Sequence, residues 1–166
     1  MGALFNWGIG MDDEALMREA LEEARQAFEE GEVPIGSVVV KDGRIVGRGR
    51  NRKEALCDPT AHAEVLALRQ AAESTGSWRL SGTTLYTTAE PCLMCLGAAM
   101  QARVCRIVFG CREPKFGAVF RFAEDGHLRD GNHCLTVKGG VLEQQCAQML
   151  QDFFAKRRTE ASTTAG

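Results

Sequence analysis

Asp58-Pro59-Thr60-Ala61-His62-Ala63-Glu64 and Glu90-Pro91-Cys92-Leu93-Met94-Cys95 are the two stretches whose reading decides the fold. Each has a proline where a loop turns into a helix, a position that suits the fixed φ of proline. A helix opening at Pro91 carries Cys92 and Cys95 at i and i+3 in its first turn, on one face. The positive end of the helix dipole lowers a thiol pKa there and favours thiolates, the form that binds zinc. A Cys-x-x-Cys pair alone is equally open to redox chemistry. His62 shifts the balance, because it too stands at the start of a helix that follows a loop. Two helix N-termini can then converge on one ion. Singly, His62 reads as a surface histidine, Glu64 as an ordinary helix carboxylate and the cysteines as small buried hydrophobes. Together and in this order they read as a metal site.

Two thiolates and one imidazole make three ligands, and no fourth strong ligand is near in sequence. Structural zinc usually takes four protein ligands, whereas catalytic zinc keeps a position for water. Zinc lowers the pKa of such a water toward ~7 and so yields hydroxide at neutral pH. Glu64 is placed to take and return the proton. One difficulty follows from helix geometry: residues i and i+2 point roughly 200° apart. His62 and Glu64 address one water only if His62 lies on the turn entering the helix.

Outward from these motifs, Asp12-Asp13-Glu14 opens a helix whose apolar stripe runs through Leu16, Met17, Ala20, Leu21, Ala24, Ala27 and Phe28 to Gly31. Strands at 35–40 and 44–49 flank Asp42-Gly43, a type I′ turn signal. A helix is expected over Pro59–Ala72, a strand over Thr83–Thr88, a helix over Pro91–Gln101 and a buried strand over Val104–Phe109. Residues 110–133 lack a period and read as a long surface loop with room for a helical turn. A last strand over Cys134–Lys138 and a helix over Leu142–Arg158 close the domain. The order predicts a three-layer α/β/α domain over 12–158 with a mixed five-stranded sheet, flanked by flexible tails at 1–11 and 159–166.

The 166 residues, 45% hydrophobic and 25% charged, suit one compact domain. No apolar run approaches the ~20 residues of a membrane helix, so no membrane partner is expected. The net charge of −2 conceals an asymmetry. Residues 1–102 hold 10 Lys/Arg against 15 Asp/Glu, and residues 103–158 hold 10 against 6. The second part is thus a candidate basic face for phosphates. Seven cysteines without a recognisable secretory signal suggest a reducing cytoplasm.

The H-x-E…P-C-x-x-C pattern is the signature of zinc deaminases. Over roughly residues 12–158 the chain resembles the bacterial tRNA-specific adenosine deaminases of the cytidine/deoxycytidylate deaminase superfamily. The resemblance is carried by the two motifs together with Glu32-Val33-Pro34-Ile35-Gly36, Asn51-Arg52, Val108-Phe109-Gly110, Gly131-Asn132-His133 and Phe153-Phe154. It implies a cytidine-deaminase-like fold and hydrolytic conversion of adenosine to inosine at the wobble position. It also implies one Zn2+ per subunit on His62, Cys92 and Cys95, with Glu64 as proton shuttle. By the same resemblance Asn51 bonds the target base, Val33 and Ala61 wall the pocket, and Lys115, Phe153 and Arg157 lie near the anticodon stem-loop. A homodimer, with both subunits contributing to the RNA site, is implied too.

The loop from Arg112 to Arg129 departs from the family pattern. Glu113 stands where an Asp is common, and Ala118-Val119-Phe120-Arg121-Phe122 replaces a Gly-Ser-Leu-like step. Substrate choice is therefore open to a second reading, a deaminase of free guanine, cytosine or a nucleoside. A third, a binding module with structural zinc, would need a fourth protein ligand.

Overall fold

The structure, a computed structural model, describes residues 12–164. The tail expected at 1–11 lies outside them. The elements are α1 (Asp13–Glu29), β1 (Gly36–Lys41), β2 (Arg44–Arg50), α2 (Lys53–Leu56), α3 (Ala63–Thr75), β3 (Thr83–Ala89), α4 (Leu93–Gln101), β4 (Arg106–Cys111), α5 (Val119–Phe122), β5 (His127–Asp130), β6 (His133–Lys138) and α6 (Glu143–Thr164). The Asp12 carboxylate caps α1 by accepting from the Ala15 N–H at 2.6 Å. Asp42 and Gly43, both at positive φ, turn β1 back into β2.

The sheet is mixed, with strand order β2-β1-β3-β4-β6-β5. β3, β4 and β6 run parallel, as their helical or long crossovers require, while β1, β2 and β5 pair antiparallel to their neighbours. It has six strands, not the five expected. The extra one is β5, at the sheet edge, inside the stretch read as a loop. Its sequence, His127-Leu128-Arg129-Asp130, buries Leu128 alone and therefore shows no alternation.

Alternate residues of the central strands supply two cores. Val38, Val40, Tyr86 and Val108 pack with Leu16, Met17 and Ala20 of α1 and Cys146 of α6. Val39, Leu85, Ile107 and Phe109 pack with Ala67, Leu68 and Ala71 of α3 and Leu96, Ala99 and Met100 of α4. This is the three-layer arrangement. On the second face α3 lies almost on the backbone of β2: a Cβ on Gly47 or Gly49 would overlap the carbonyl of Ala67 or Ala63. That close approach fixes where the first turn of α3 sits.

Two helix starts differ from expectation. α3 begins at Ala63 rather than Pro59, and α4 at Leu93 rather than Pro91. At the other end, α6 continues to Thr164 through most of the tail expected from Thr159. The hydroxyls of Thr159, Ser162, Thr163 and Thr164 each bond the carbonyl four residues back, so the helix accommodates them.

Candidate metal centre

The turn before α3 is built by its own side chains. Asp58 Oδ1 accepts from the Thr60 N–H at 2.8 Å and from its hydroxyl at 2.7 Å. The Ala61 carbonyl accepts from Arg52 N–H at 3.0 Å. His62 is consequently held in extended backbone, φ −76° and ψ 151°, as the residue capping α3. This removes the difficulty of the i, i+2 spacing, because only Glu64 of the pair belongs to the helix. Cys92, at φ −74° and ψ 172°, caps α4 in the same way, and Cys95 follows in its first buried turn.

His62 Nδ1 lies 3.6 Å from Cys92 Sγ and 3.5 Å from Cys95 Sγ. The three donor atoms fall within 4.8 Å of one another. Tetrahedral zinc with bonds of about 2.3 Å to sulfur and 2.0–2.1 Å to nitrogen has an N···S edge of about 3.6 Å. The two N···S distances match that edge, so the donor set suits such an ion. The Cys92 thiol is held down, at about 3, by its hydrogen bond with Cys95 and then by that with His62. The Cys95 thiol is pushed up by the same bond and by burial. The two thiols thus favour sharing a proton, and a divalent cation binds the pair by displacing it. The His62 pKa is raised by its hydrogen bond with Cys92. Glu64 is 4% exposed beside Cys95 and His62, and burial pushes its carboxyl upward. A carboxyl so placed can hold a proton and release it, as general acid–base chemistry demands.

A MafB19-like deaminase family model matches residues 11–158. The tRNA-specific adenosine deaminase of Haemophilus influenzae is 47% identical over 152 residues, 89% of this chain and 86% of that protein. This chain belongs to the tRNA-specific adenosine deaminase family. A solved structure from a study of A-to-I editing by tRNA:A34 deaminases superposes with a TM-score of 0.74 at 43% identity, over 81% of this chain and 98% of that one. A guanine deaminase from Nitrosomonas europaea has nearly the same TM-score, 0.73, at only 27% identity, over 89% and 86%. The shared fold does not separate the two activities, whereas sequence identity favours the tRNA enzymes.

In the deaminase, Asn51 is buried at the end of β2 and its Oδ1 has no hydrogen-bond partner among the described residues. A buried orphaned acceptor calls for a donor from outside the chain. Ala61 is fully buried and Val33 half-buried. Lys115 is exposed and lines a groove of about 550 Å³ with Arg112, Phe116, Phe154 and Arg158. Phe153 is not in that groove: it is 4% exposed and packs edge-on against Phe28 at 5.5 Å, so the outward ring is Phe154, 46% exposed. Arg157 is exposed, its guanidinium 5.7 Å from the Phe153 ring.

Two buried carboxylates escaped the sequence reading. Glu32 accepts from the Ala55 N–H at 2.8 Å and so clasps α2. Glu90 accepts from the Glu113 N–H at 3.1 Å and the Phe120 N–H at 3.3 Å. A signal existed for Glu90, the one charged residue between Arg79 and Arg103.

Proposed function

We propose that this protein deaminates adenosine to inosine at the wobble position of a tRNA anticodon, with zinc held by His62, Cys92 and Cys95. The observation that carries this reading is His62 Nδ1 at 3.6 and 3.5 Å from the two sulfurs, with Glu64 buried beside them. Zinc, when bound, supplies an acidified water as the nucleophile at neutral pH. Glu64 would take a proton from the attacking water and give it to the purine ring nitrogen N1. It would then pass the proton of the added hydroxyl to the departing amine, so that oxygen replaces N6 on C6 and ammonia leaves. The burial that raises the Glu64 pKa suits a group that must be acid and base in turn. The N–H groups at the first turn of α4 favour negative charge developing on the oxygen added to C6.

Asn51 bonds the target base through its unpaired Oδ1, and Val33 and Ala61 form the apolar wall beside it. An anticodon loop presents unstacked bases, so extruding one is inexpensive. Lys115 and Arg157 meet the phosphates of the anticodon stem-loop. Phe153, packed on Phe28, holds the stretch of α6 from which Arg157 projects. The active form is a homodimer, with both subunits touching the RNA. A cytoplasmic location is supported by the unpaired thiols and by a tRNA substrate. Among the described residues no helix is long and apolar enough to cross a membrane.

The test is a deamination assay of zinc-loaded protein on an anticodon stem-loop with adenosine at the wobble position, beside free guanine, cytosine and adenosine. Inosine at that position and no release of ammonia from the free compounds is the expected result. Turnover of a free base without turnover of the RNA would overturn the reading.

A further inference from the structure

We propose that Glu90 is a positioning residue: its buried carboxylate holds the 112–122 loop against the segment that carries Cys92, and so sets the RNA-facing surface beside the metal centre. The inference rests on the reading of that loop as part of the RNA seat. Glu90 is 5% exposed, yet no Lys or Arg pairs with it among the described residues. A buried carboxylate is expensive unless donors surround it. Here the donors are main-chain N–H groups of the loop. Oε2 accepts from Glu113 and Oε1 from Phe120, so one carboxylate closes the loop at both ends.

The backbone on either side of Glu90 completes the clasp. Its own N–H donates to the Cys111 carbonyl at 2.8 Å. The Pro91 carbonyl accepts from Ala118 N–H at 2.9 Å, and Cys92 forms a bridge with Gly117. Gly117 is needed for this approach, since a Cβ there would overlap the Glu90 carboxyl and the Glu113 carbonyl. The loop thus wraps a charge two residues from a metal ligand. What it presents outward is aromatic and basic. Phe116 is 68% exposed, Arg112 stacks 3.8 Å from the centre of the exposed Phe120 ring, and the exposed Lys115 lines the same groove as Arg112 and Phe116. Exposed rings and cations of this kind suit unpaired bases and phosphates. Within the loop, a turn closed by the Gly117 N–H on the Glu113 carbonyl at 2.9 Å and the single turn of α5 are the regular features.

Glu90→Ala removes both acceptor oxygens. Glu90→Gln keeps the shape and one acceptor but turns an amide N–H2 toward the other loop N–H. Amide hydrogen exchange, zinc content and steady-state kinetics on the stem-loop are measured on both. In Glu90→Ala, exchange over residues 113–120 is expected to quicken about tenfold or more while β3 and β4 stay protected. Zinc content stays at the wild-type value. KM for the RNA rises about tenfold with kcat within about twofold, and Glu90→Gln falls between. Unchanged exchange over 113–120 would sink the proposal, as would loss of zinc in step with activity, or a fall in kcat at constant KM. If the wild-type protein turns over no RNA, the proposed substrate is wrong, and the exchange measurement still decides the role of Glu90.

Discussion

At the scale of single residues, Glu64 carries the clearest consequence. Its carboxylate is buried and pays for that in solvation, which is why its pKa is raised. Glu64→Gln removes the charge and the mobile proton while keeping the volume. Deamination is expected to fall by about 10²–10⁴-fold, the usual contribution of a positioned acid–base group. The melting temperature at pH 7 is expected to stay level or rise, because a neutral amide is cheaper to bury than a carboxylate. Product analysis, zinc content and calorimetry on one preparation check all of this; a variant that loses zinc or melts early would make Glu64 a structural residue. The clustering of Cys92 with Cys95 could be read from the sequence because their spacing is local: a capping residue and its first turn fix one against the other. Glu32 and Glu90 could not be read so easily. Their partners are backbone N–H groups distant along the chain, and any residue type supplies those.

Among elements, periodic ones were legible and irregular ones were not. α1, the β1–β2 hairpin and the buried strands announce themselves by apolar spacing or by Asp42-Gly43. β5 pairs only at the sheet edge and buries one side chain, so no pattern marks it. The proline before each helix at the site misled by a few residues, since a turn follows Pro59 and an extended, bridged Cys92 follows Pro91. As extended caps, His62 and Cys92 leave the helices and face each other. The closeness of α3 to β2 fixes their position. Gly49→Ala would push a methyl into the Ala63 carbonyl and the Ala67 N–H, neither of which can rotate aside. A loss of about 1–3 kcal/mol is expected, as for other overpacked sites, read from urea denaturation. Because Ala63 follows His62, zinc affinity is expected to weaken in the same variant. Wild-type stability in Gly49→Ala would mean that α3 can lift from the sheet.

Across the whole molecule, one carboxylate ties the layers together on the side where helix α1 begins. Asp13 Oδ1 accepts from Tyr86 of β3 at 2.9 Å and Arg106 of β4 at 2.9 Å, and Oδ2 accepts from Arg106 at 2.8 Å and Lys138 of β6 at 2.7 Å. The paired guanidinium and ammonium hold the Asp13 carboxyl well below the ordinary aspartate range, Arg106 contributing most. The sign of the pH effect follows. A depressed folded-state pKa means that the unfolded chain takes up the proton first. The stabilisation is complete above the ordinary aspartate range. It drains away as pH falls through that range toward the lower value in the folded protein. The cluster is partly exposed, which limits its contribution through solvent screening. Asp13→Asn is therefore expected to cost about 1–2 kcal/mol at pH 7, with Arg106 and Lys138 left facing each other. The difference between wild type and variant should shrink as the pH of denaturation is lowered from 6 toward 3, roughly the window over which an unfolded aspartate protonates. A gap that stays constant across that window would mean that Asp13 acts through packing and not through its charge.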